Sequence, residues 1–337
     1  MEDKIRIFIL GAGFGTALAV MLAGEGHDVT LWTRNEADAE RIFKTRTNSK
    51  LLKGVMLPES VKVTSLTEGA GEADVVLIAV PSSAVESTAA MLSDKLAPSA
   101  IIVNVAKGFA DDKLTTLSEI IKKHCKNSVV TLSGPSHAEE LARGKETAVV
   151  ASSEDMGSAE YIQKIFSNAY FRIYTNPDLK GVEIGGAVKN IVAIAAGIGD
   201  GMGLGDNAKA ALITRGLNEI AMLGVSLGAN KYTFAGLSCL GDLIVTANSV
   251  HSRNYQAGLR LGKGETPDEA VKNIGMTVEG ALAAKRIHDY TGEGKPAMPV
   301  CEQIYAVLYE GKNPADAVKA LMSRPKKQEH ESLWLDY

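Results

Sequence analysis

Short β-branched runs alternate with helical stretches through the first half of this 337-residue chain, and that alternation limits the fold more than any other feature. Ile5 to Leu10, Asp28 to Trp32, Val75 to Val80 and Ile101 to Val105 read as strands, and Val129 to Leu132, Ala148 to Ala151 and Phe171 to Tyr174 extend the series. Leu18 to Ala23 continues a helix between the first two. Strands alternating with helices need crossover connections, which build a mostly parallel sheet with helices on both faces. After Asn176-Pro177 the strand signals stop. Val182 to Ile198, Leu212 to Leu227, Asn254 to Leu261, Thr277 to His288 and Val300 to Tyr309 all read as helices. The expected class is α/β, with a doubly wound N-terminal domain over residues 1–180 and an all-helical C-terminal domain over residues 181–337.

Composition narrows the function classes. Apolar residues at 45% and charged residues at 23% are the balance of a globular protein with a real core. Thirty-six basic residues face forty acidic ones, so no basic stripe survives and nucleic acid is not an expected partner. Local lysines and arginines can still hold an anionic small molecule. Cys125, Cys239 and Cys301 are far apart and odd in number, which fits neither a metal site nor a disulfide framework. A reducing cytoplasm is the expected compartment. Met1 to Arg6 leads straight into a strand with no signal-peptide pattern. No membrane span is expected, because glycines and charges interrupt the apolar helix around Ile191 to Ile198. The tail from Lys326 to Glu331 reads as solvated.

The sharpest local signal is Gly11-Ala12-Gly13-Phe14-Gly15, which follows a strand and opens a helix. In a Rossmann turn the first glycine makes the bend and the second lets backbone approach a pyrophosphate seated on the helix N-terminus. Its position in the first turn of an alternating β/α half makes the N-terminal domain Rossmann-like. The turn is one residue shorter than G-x-G-x-x-G. An acidic residue at the end of the second strand would bond the ribose of NAD, whereas an arginine accommodates the 2′-phosphate of NADP. This chain reads Leu31-Trp32-Thr33-Arg34-Asn35, so Arg34 favours NADP, and Glu36 lies close enough to keep NAD open. A solvated loop arginine is the other reading of Arg34.

Several stretches then supply candidate chemistry. Asn104-Val105-Ala106-Lys107-Gly108 and Ser133-Gly134-Pro135-Ser136-His137-Ala138 each end a strand, the edge where open α/β sheets bind ligands. Taken singly, each is better explained by a plain turn than by a site. Lys189 and Asn190 sit inside an apolar, small-residue helix, where an ammonium needs a carboxylate, a ligand or a lowered pKa unless it snorkels to the surface. Asp242, in Cys239-Leu240-Gly241-Asp242-Leu243-Ile244, is a carboxylate in similar surroundings and a natural partner for Lys189. Ser252 is a good N-cap for a helix that starts at Arg253-Asn254, and its first-turn N–H groups beside Arg253 suit a phosphate. A simple capped helix with a surface arginine fits the same residues.

Taken in order, these stretches resemble bacterial NAD(P)-dependent glycerol-3-phosphate dehydrogenase from about Ile5 to about Gly311. The motifs that carry the resemblance are Gly-Ala-Gly-Phe-Gly-Thr-Ala-Leu-Ala from Gly11, Ala106-Lys107-Gly108, Gly134 to Glu140, Ala187-Val188-Lys189-Asn190, Gly241-Asp242-Leu243 with Thr246, Ser252-Arg253-Asn254, and Val278-Glu279-Gly280. The resemblance implies Lys189 as the catalytic proton donor and acceptor, and Asp242, as the carboxylate that would hold it in position, is the second candidate catalytic residue. It implies substrate contacts at Lys107, Gly134, Ser136, Lys189, Asp242, Ser252, Arg253 and Asn254. For the cofactor it implies Phe14, Arg34, Lys107, Ala138, Arg253, Thr277 and Glu279, beside Gly11, Gly13 and Gly15 of the turn. NADP or NAD is the implied cofactor and no metal is implied. Dihydroxyacetone phosphate and sn-glycerol 3-phosphate are the implied substrate pair, a homodimer the implied assembly, and glycerophospholipid synthesis the implied pathway. The family turn has a small residue and an aromatic where this chain has Phe14 alone. Two other readings of the residues stay open: a β-hydroxy-acid or ketoacid reductase, and a dinucleotide-binding redox sensor without turnover.

Overall fold

The computed structural model describes residues 4–326, 328 and 329. Met1 to Asp3 of the leading segment, and Lys327, His330 and Glu331 of the tail, lie outside the described residues. The chain divides into two compact units: Met1–Ala106 with Leu117–Leu179, and Lys107–Thr116 with Lys180–Tyr337. The ten residues Lys107–Thr116 therefore belong to the second unit although a strand and a helix of the first flank them in sequence; Phe109 and Leu114 are buried in the second unit's core.

The strands of the first unit are β1 (Arg6–Leu10), β2 (Asp28–Trp32), β3 (Thr47–Asn48), β4 (Leu52–Met56), β5 (Lys62–Thr64), β6 (Val75–Ile78), β7 (Ile101–Asn104), β8 (Val129–Ser133), β9 (Thr147–Ser152) and β10 (Phe171–Asn176). Eight of them form one sheet in the order β10-β9-β8-β7-β6-β1-β2-β5. Its pairs are parallel except β8 with β9. The chain runs outward from β1 through β2 to β5, then returns to lay β6 on the other flank of β1. Strand order reverses there, and the crevice beyond the carboxyl ends of strands at such a point is where open sheets bind ligands. The doubly wound, Rossmann-like architecture read from the alternation is thus present.

Three details depart from the sequence reading, each for a physical reason. Strands β6 and β8 are buried throughout and β1 is buried but for its first residue, so they announce themselves as continuous apolar runs. The edge strand β5 pairs on one side only, carries Lys62 and Thr64, and gives no such run. The antiparallel β3–β4 hairpin likewise alternates buried Leu52 and Val55 with exposed neighbours. Val75 to Val80 was too long a span for β6, which ends at Ile78, because Pro81 lacks a ladder N–H and leads into the turn Ser82–Ala84.

The second unit is organised around the 23-residue helix Leu179–Gly201, whose Ile184, Val188, Ile191 and Ile194 are fully buried. Contrary to the expectation from sequence, this helix is long and apolar enough to cross a membrane by length and composition, but its most apolar stretch is entirely buried inside the protein. A helix apolar all round suits a core as well as a bilayer. Helix Arg253–Gly262 lies against it backbone to backbone, since a Cβ on Gly258 would overlap the carbonyl of Ile194. Asp206–Ser226, Asp242–Asn248, Pro267–Ile274, Glu279–Tyr290, Pro299–Tyr309 and Pro314–Met322 are its other α-helices among the described residues, with short helical turns at Lys231–Ala235 and Leu237–Gly241. Three of these, at 242–248, 267–274 and 314–322, are short helices absent from the sequence reading.

Candidate active site

Within the second unit, Lys107, Lys189 and Asp242 come together. Asp242 opens the helix Asp242–Asn248, is only 2% exposed, and lies with Oδ1 3.0 Å from Lys189 Nζ and Oδ2 2.5 Å from Lys107 Nζ. Lys189 is 4% exposed and also donates from Nζ to Thr246 Oγ1 at 2.5 Å. Thr246 stands one turn after Asp242, on the same helix face. Its hydroxyl donates to the Asp242 backbone carbonyl at 2.5 Å, which turns a lone pair towards the lysine.

The electrostatics follow from this count of charges. Burial pulls the Lys189 ammonium down to about 8; Asp242 opposes the fall and Lys107 adds to it. Burial pushes the Asp242 carboxyl up, but the two lysines more than reverse this and hold it below the ordinary carboxylate range. Lys107 and Lys189 both present an ammonium to the buried Asp242, and a developing oxyanion beside Lys189 gains from that positive field. Cys239, buried beside the pair, is pushed well up by burial and stays a thiol.

A second cluster lies at the start of helix Arg253–Gly262. Ser252 Oγ accepts from Tyr255 N at 3.2 Å, the N-cap that its position predicts. Arg253 is exposed and its Nη1 donates to the Thr277 carbonyl at 3.3 Å, which brings together two residues implied for the cofactor. The Asn254 side chain faces inward instead: Nδ2 donates to Asn190 Oδ1 at 2.8 Å and Oδ1 accepts from Gly280 N at 2.9 Å. That amide ties the helix carrying Lys189 to the start of helix Glu279–Tyr290, whose first residue is the half-buried Glu279. What Asn254 can offer a ligand is its backbone N–H in the first helical turn.

The first unit holds the glycine turn. Gly11 has φ +108, donates from N to the Trp32 carbonyl at 3.1 Å, and leaves no room for a Cβ, which would lie 2.5 Å from the Ala79 carbonyl oxygen. A Cβ on Gly15 would press on Ile9 of β1, so this glycine closes the helix onto the sheet. Gly13 is the N-cap of helix Phe14–Gly24, has no side-chain cap bond, and would meet nothing with an added Cβ. That open, uncapped helix start beside two tightly packed glycines fits the diphosphate of a dinucleotide, even with one residue missing. Phe14 is half-buried and packs on the unit's core. Arg34, two residues beyond β2, is exposed and forms no ion pair among the described residues. Next to it Asn35 accepts from Asp38 N to cap helix Glu36–Thr45. Gly134 follows β8 with φ +154, Ser136 Oγ donates back to the Gly134 carbonyl at 3.0 Å, and Ala138 starts the short helix Ala138–Leu141, which packs on helix Phe14–Gly24.

Thr246 and Asn190 appeared in the sequence motifs but not among the expected site residues. The spacing of four between Asp242 and Thr246 on one helix was the available signal for the first. Asn48, whose amide bonds the Ala12 carbonyl, carried no signal.

Comparison with known proteins bears on nearly the whole chain. The profile of the NAD-dependent glycerol-3-phosphate dehydrogenase N-terminus matches residues 6–159, and that of the same family's C-terminus matches residues 178–319. The glycerol-3-phosphate dehydrogenase (NAD(P)+) of Fusobacterium nucleatum is 47% identical, over 97% of this chain and 99% of its own. That of Geobacillus thermodenitrificans is 49% identical, over 97% of each. The crystal structure of the glycerol-3-phosphate dehydrogenase from Coxiella burnetii is similar with a TM-score of 0.91 and 35% identity, over 95% of this chain and 99% of that one.

Proposed function

The chain belongs to the NAD-dependent glycerol-3-phosphate dehydrogenase family, and from that premise we propose how its own residues carry the reaction. It is an NAD(P)-dependent oxidoreductase that interconverts dihydroxyacetone phosphate and sn-glycerol 3-phosphate. The observation that carries the residue assignment is the buried Lys189 Nζ held between Asp242 and Thr246.

Reduced nicotinamide, when bound, supplies the hydride. Lys189 supplies the proton: an ammonium has three N–H donors, Asp242 and Thr246 engage two, and the third is left for the substrate's carbonyl oxygen. As charge develops on that oxygen, the Lys189 ammonium stabilises it. In the oxidation direction neutral Lys189 takes the alcohol proton, and a pKa near 8 keeps both forms accessible. Asp242 orients both lysines. The first-turn N–H groups after Ser252, with Arg253, grip the phosphate, so binding energy remote from the carbonyl fixes the reacting geometry. Gly11, Gly13, Phe14 and Gly15 cradle the cofactor's diphosphate, Arg34 takes a 2′-phosphate and so favours NADPH, and Gly134, Ser136, Ala138, Thr277 and Glu279 complete the two binding surfaces. The product serves glycerophospholipid synthesis, the working form is a homodimer, and three buried free cysteines suit the cytoplasm.

The test is to follow loss of reduced-nicotinamide absorbance with purified protein, NADPH and dihydroxyacetone phosphate, then to repeat it with Arg253→Ala and with unphosphorylated dihydroxyacetone. Arg253→Ala should lower kcat/KM for the phosphorylated ketone by about a hundredfold or more, as loss of one partner of a charge pair does. It should scarcely change the weak activity on dihydroxyacetone. Equal losses on both substrates would remove Arg253 from the phosphate site.

A further inference from the structure

Asn48 lies in the β3–β4 hairpin and takes no part in the reaction described above. It is 1% exposed. Its Nδ2 donates to the Ala12 carbonyl at 2.6 Å and to Thr16 Oγ1 at 3.0 Å. Thr16 Oγ1 in turn donates to the same carbonyl at 2.5 Å. Three hydrogen bonds thus close a ring on one oxygen in the middle of the glycine turn and occupy both its lone pairs.

A peptide group is planar and trans, so its N–H points away from its C=O. Holding the Ala12 oxygen against Asn48 and Thr16 therefore holds the Gly13 N–H on the opposite side. Gly13 is a cap without a side chain, at φ −73 and ψ −105, outside the regular backbone regions. Glycine by itself does not keep such a peptide in one orientation. The missing residue makes this matter more here, since only Ala12 and Gly13 join the bend at Gly11 to a helix that begins at Phe14. The hairpin is built to deliver the amide: Leu52 and Val55 anchor it in the core, and the register slips between Thr47 and Asn48, as a bulge does when it re-aims a side chain.

We propose that Asn48, with Thr16 as its relay, is a positioning residue for the cofactor: it locks the Ala12–Gly13 peptide so that the helix-start amides face the dinucleotide's diphosphate. The inference rests on the glycine turn being the diphosphate cradle. The lock acts on a part common to NADH and NADPH, so its loss weakens both alike, unlike a change at Arg34.

The experiment measures dissociation constants of NADPH and NADH by titration calorimetry on substrate-free protein, with the thermal midpoint of each variant alongside. Asn48→Ala should raise both constants by about tenfold, as expected for one or two lost hydrogen bonds at a cradle. Asn48→Asp, which sets a carboxylate oxygen against the Ala12 carbonyl, should raise them further. Thr16→Ser keeps the hydroxyl and should stay within about twofold of the parent, whereas Thr16→Val should follow Asn48→Ala. The KM for dihydroxyacetone phosphate at saturating NADPH should not move. Gly13→Val is the control for the underlying reading: parental NADPH affinity in that variant overturns the cradle itself. If Gly13→Val weakens binding while Asn48→Ala, Asn48→Asp and Thr16→Val keep parental affinity, or if only NADPH is affected, the lock is overturned. Should the Asn48 variants fail to fold, the Thr16 pair decides the matter by itself.

Discussion

Two carboxylates in the second unit are almost equally buried and have opposite characters. Asp242 faces two ammonium groups and is held ionised. Glu219, on helix Asp206–Ser226, faces the start of helix Pro299–Tyr309. It accepts from Val300 N at 2.9 and 3.0 Å and from Cys301 N at 3.3 Å, which replaces the side-chain cap that Met298 cannot make. Burial nonetheless pushes Glu219 up to about 7, with those N–H bonds and the more distant Arg324 and Arg215 only partly offsetting it. Amide dipoles satisfy the hydrogen bonds of a buried carboxylate without repaying the loss of water around a full charge; adjacent cations do repay it. Glu219 therefore joins helices, while Asp242 keeps a charge ready for Lys189.

This contrast can be broken most severely at Lys189. Lys189→Met keeps the apolar stem and removes the proton, so kcat should fall by about two to four decades with NADPH affinity nearly intact. A folded Lys189→Met protein with parental turnover would falsify the proton role. In the parent, reduction should decline as pH rises through about 8, where the ammonium is lost, and oxidation should rise over the same range.

Asp242→Asn should come next in size. It removes the charge that opposes the fall of Lys189, so the break in the reduction profile should move below about 8 and turnover at pH 7 should drop by roughly ten- to a hundredfold. A profile that stays in place would mean that Asp242 does not set the charge of Lys189.

Glu219→Gln should have the smallest effect on turnover, about twofold or less, and act on stability instead. The folded-state pKa of Glu219, about 7, lies above its ordinary 4.5, so the folded protein binds the extra proton between these values. Its contribution is fully present below about 4.5 and is lost as pH rises through about 7. In Glu219→Gln that slope, roughly 1–3 kcal/mol across the window, should vanish from denaturant titrations at pH 5, 6 and 7. Lys189 has the opposite sign: its folded value, about 8, lies below 10.5, so stability from this group is recovered only as pH rises from about 8 towards 10.5.

Where one chemical pattern suffices, the sequence by itself determined the result. Buried strands such as β1, β6 and β8 are continuous apolar runs, so the alternating half and the glycine turn were legible without coordinates. Lys189 and Asp242 were legible for a related reason, since a charge in an apolar stretch demands a partner wherever it folds. The edge strand β5 and the β3–β4 hairpin were not, because half-exposed strands carry mixed residues that look like loop. Tertiary structure decided the rest. That Lys107 joins Lys189 on one carboxylate depends on residues 107–116 packing with the helical unit, 135 positions from Asp242. That the Asn254 amide turns inward to Asn190, and that Asn48 reaches across 36 positions to the Ala12 carbonyl, depends on which helices and strands meet. A hydrogen bond between distant residues leaves no periodicity in either segment, so only the packing that brings donor and acceptor within about 3 Å selects it from the many the same residues could make.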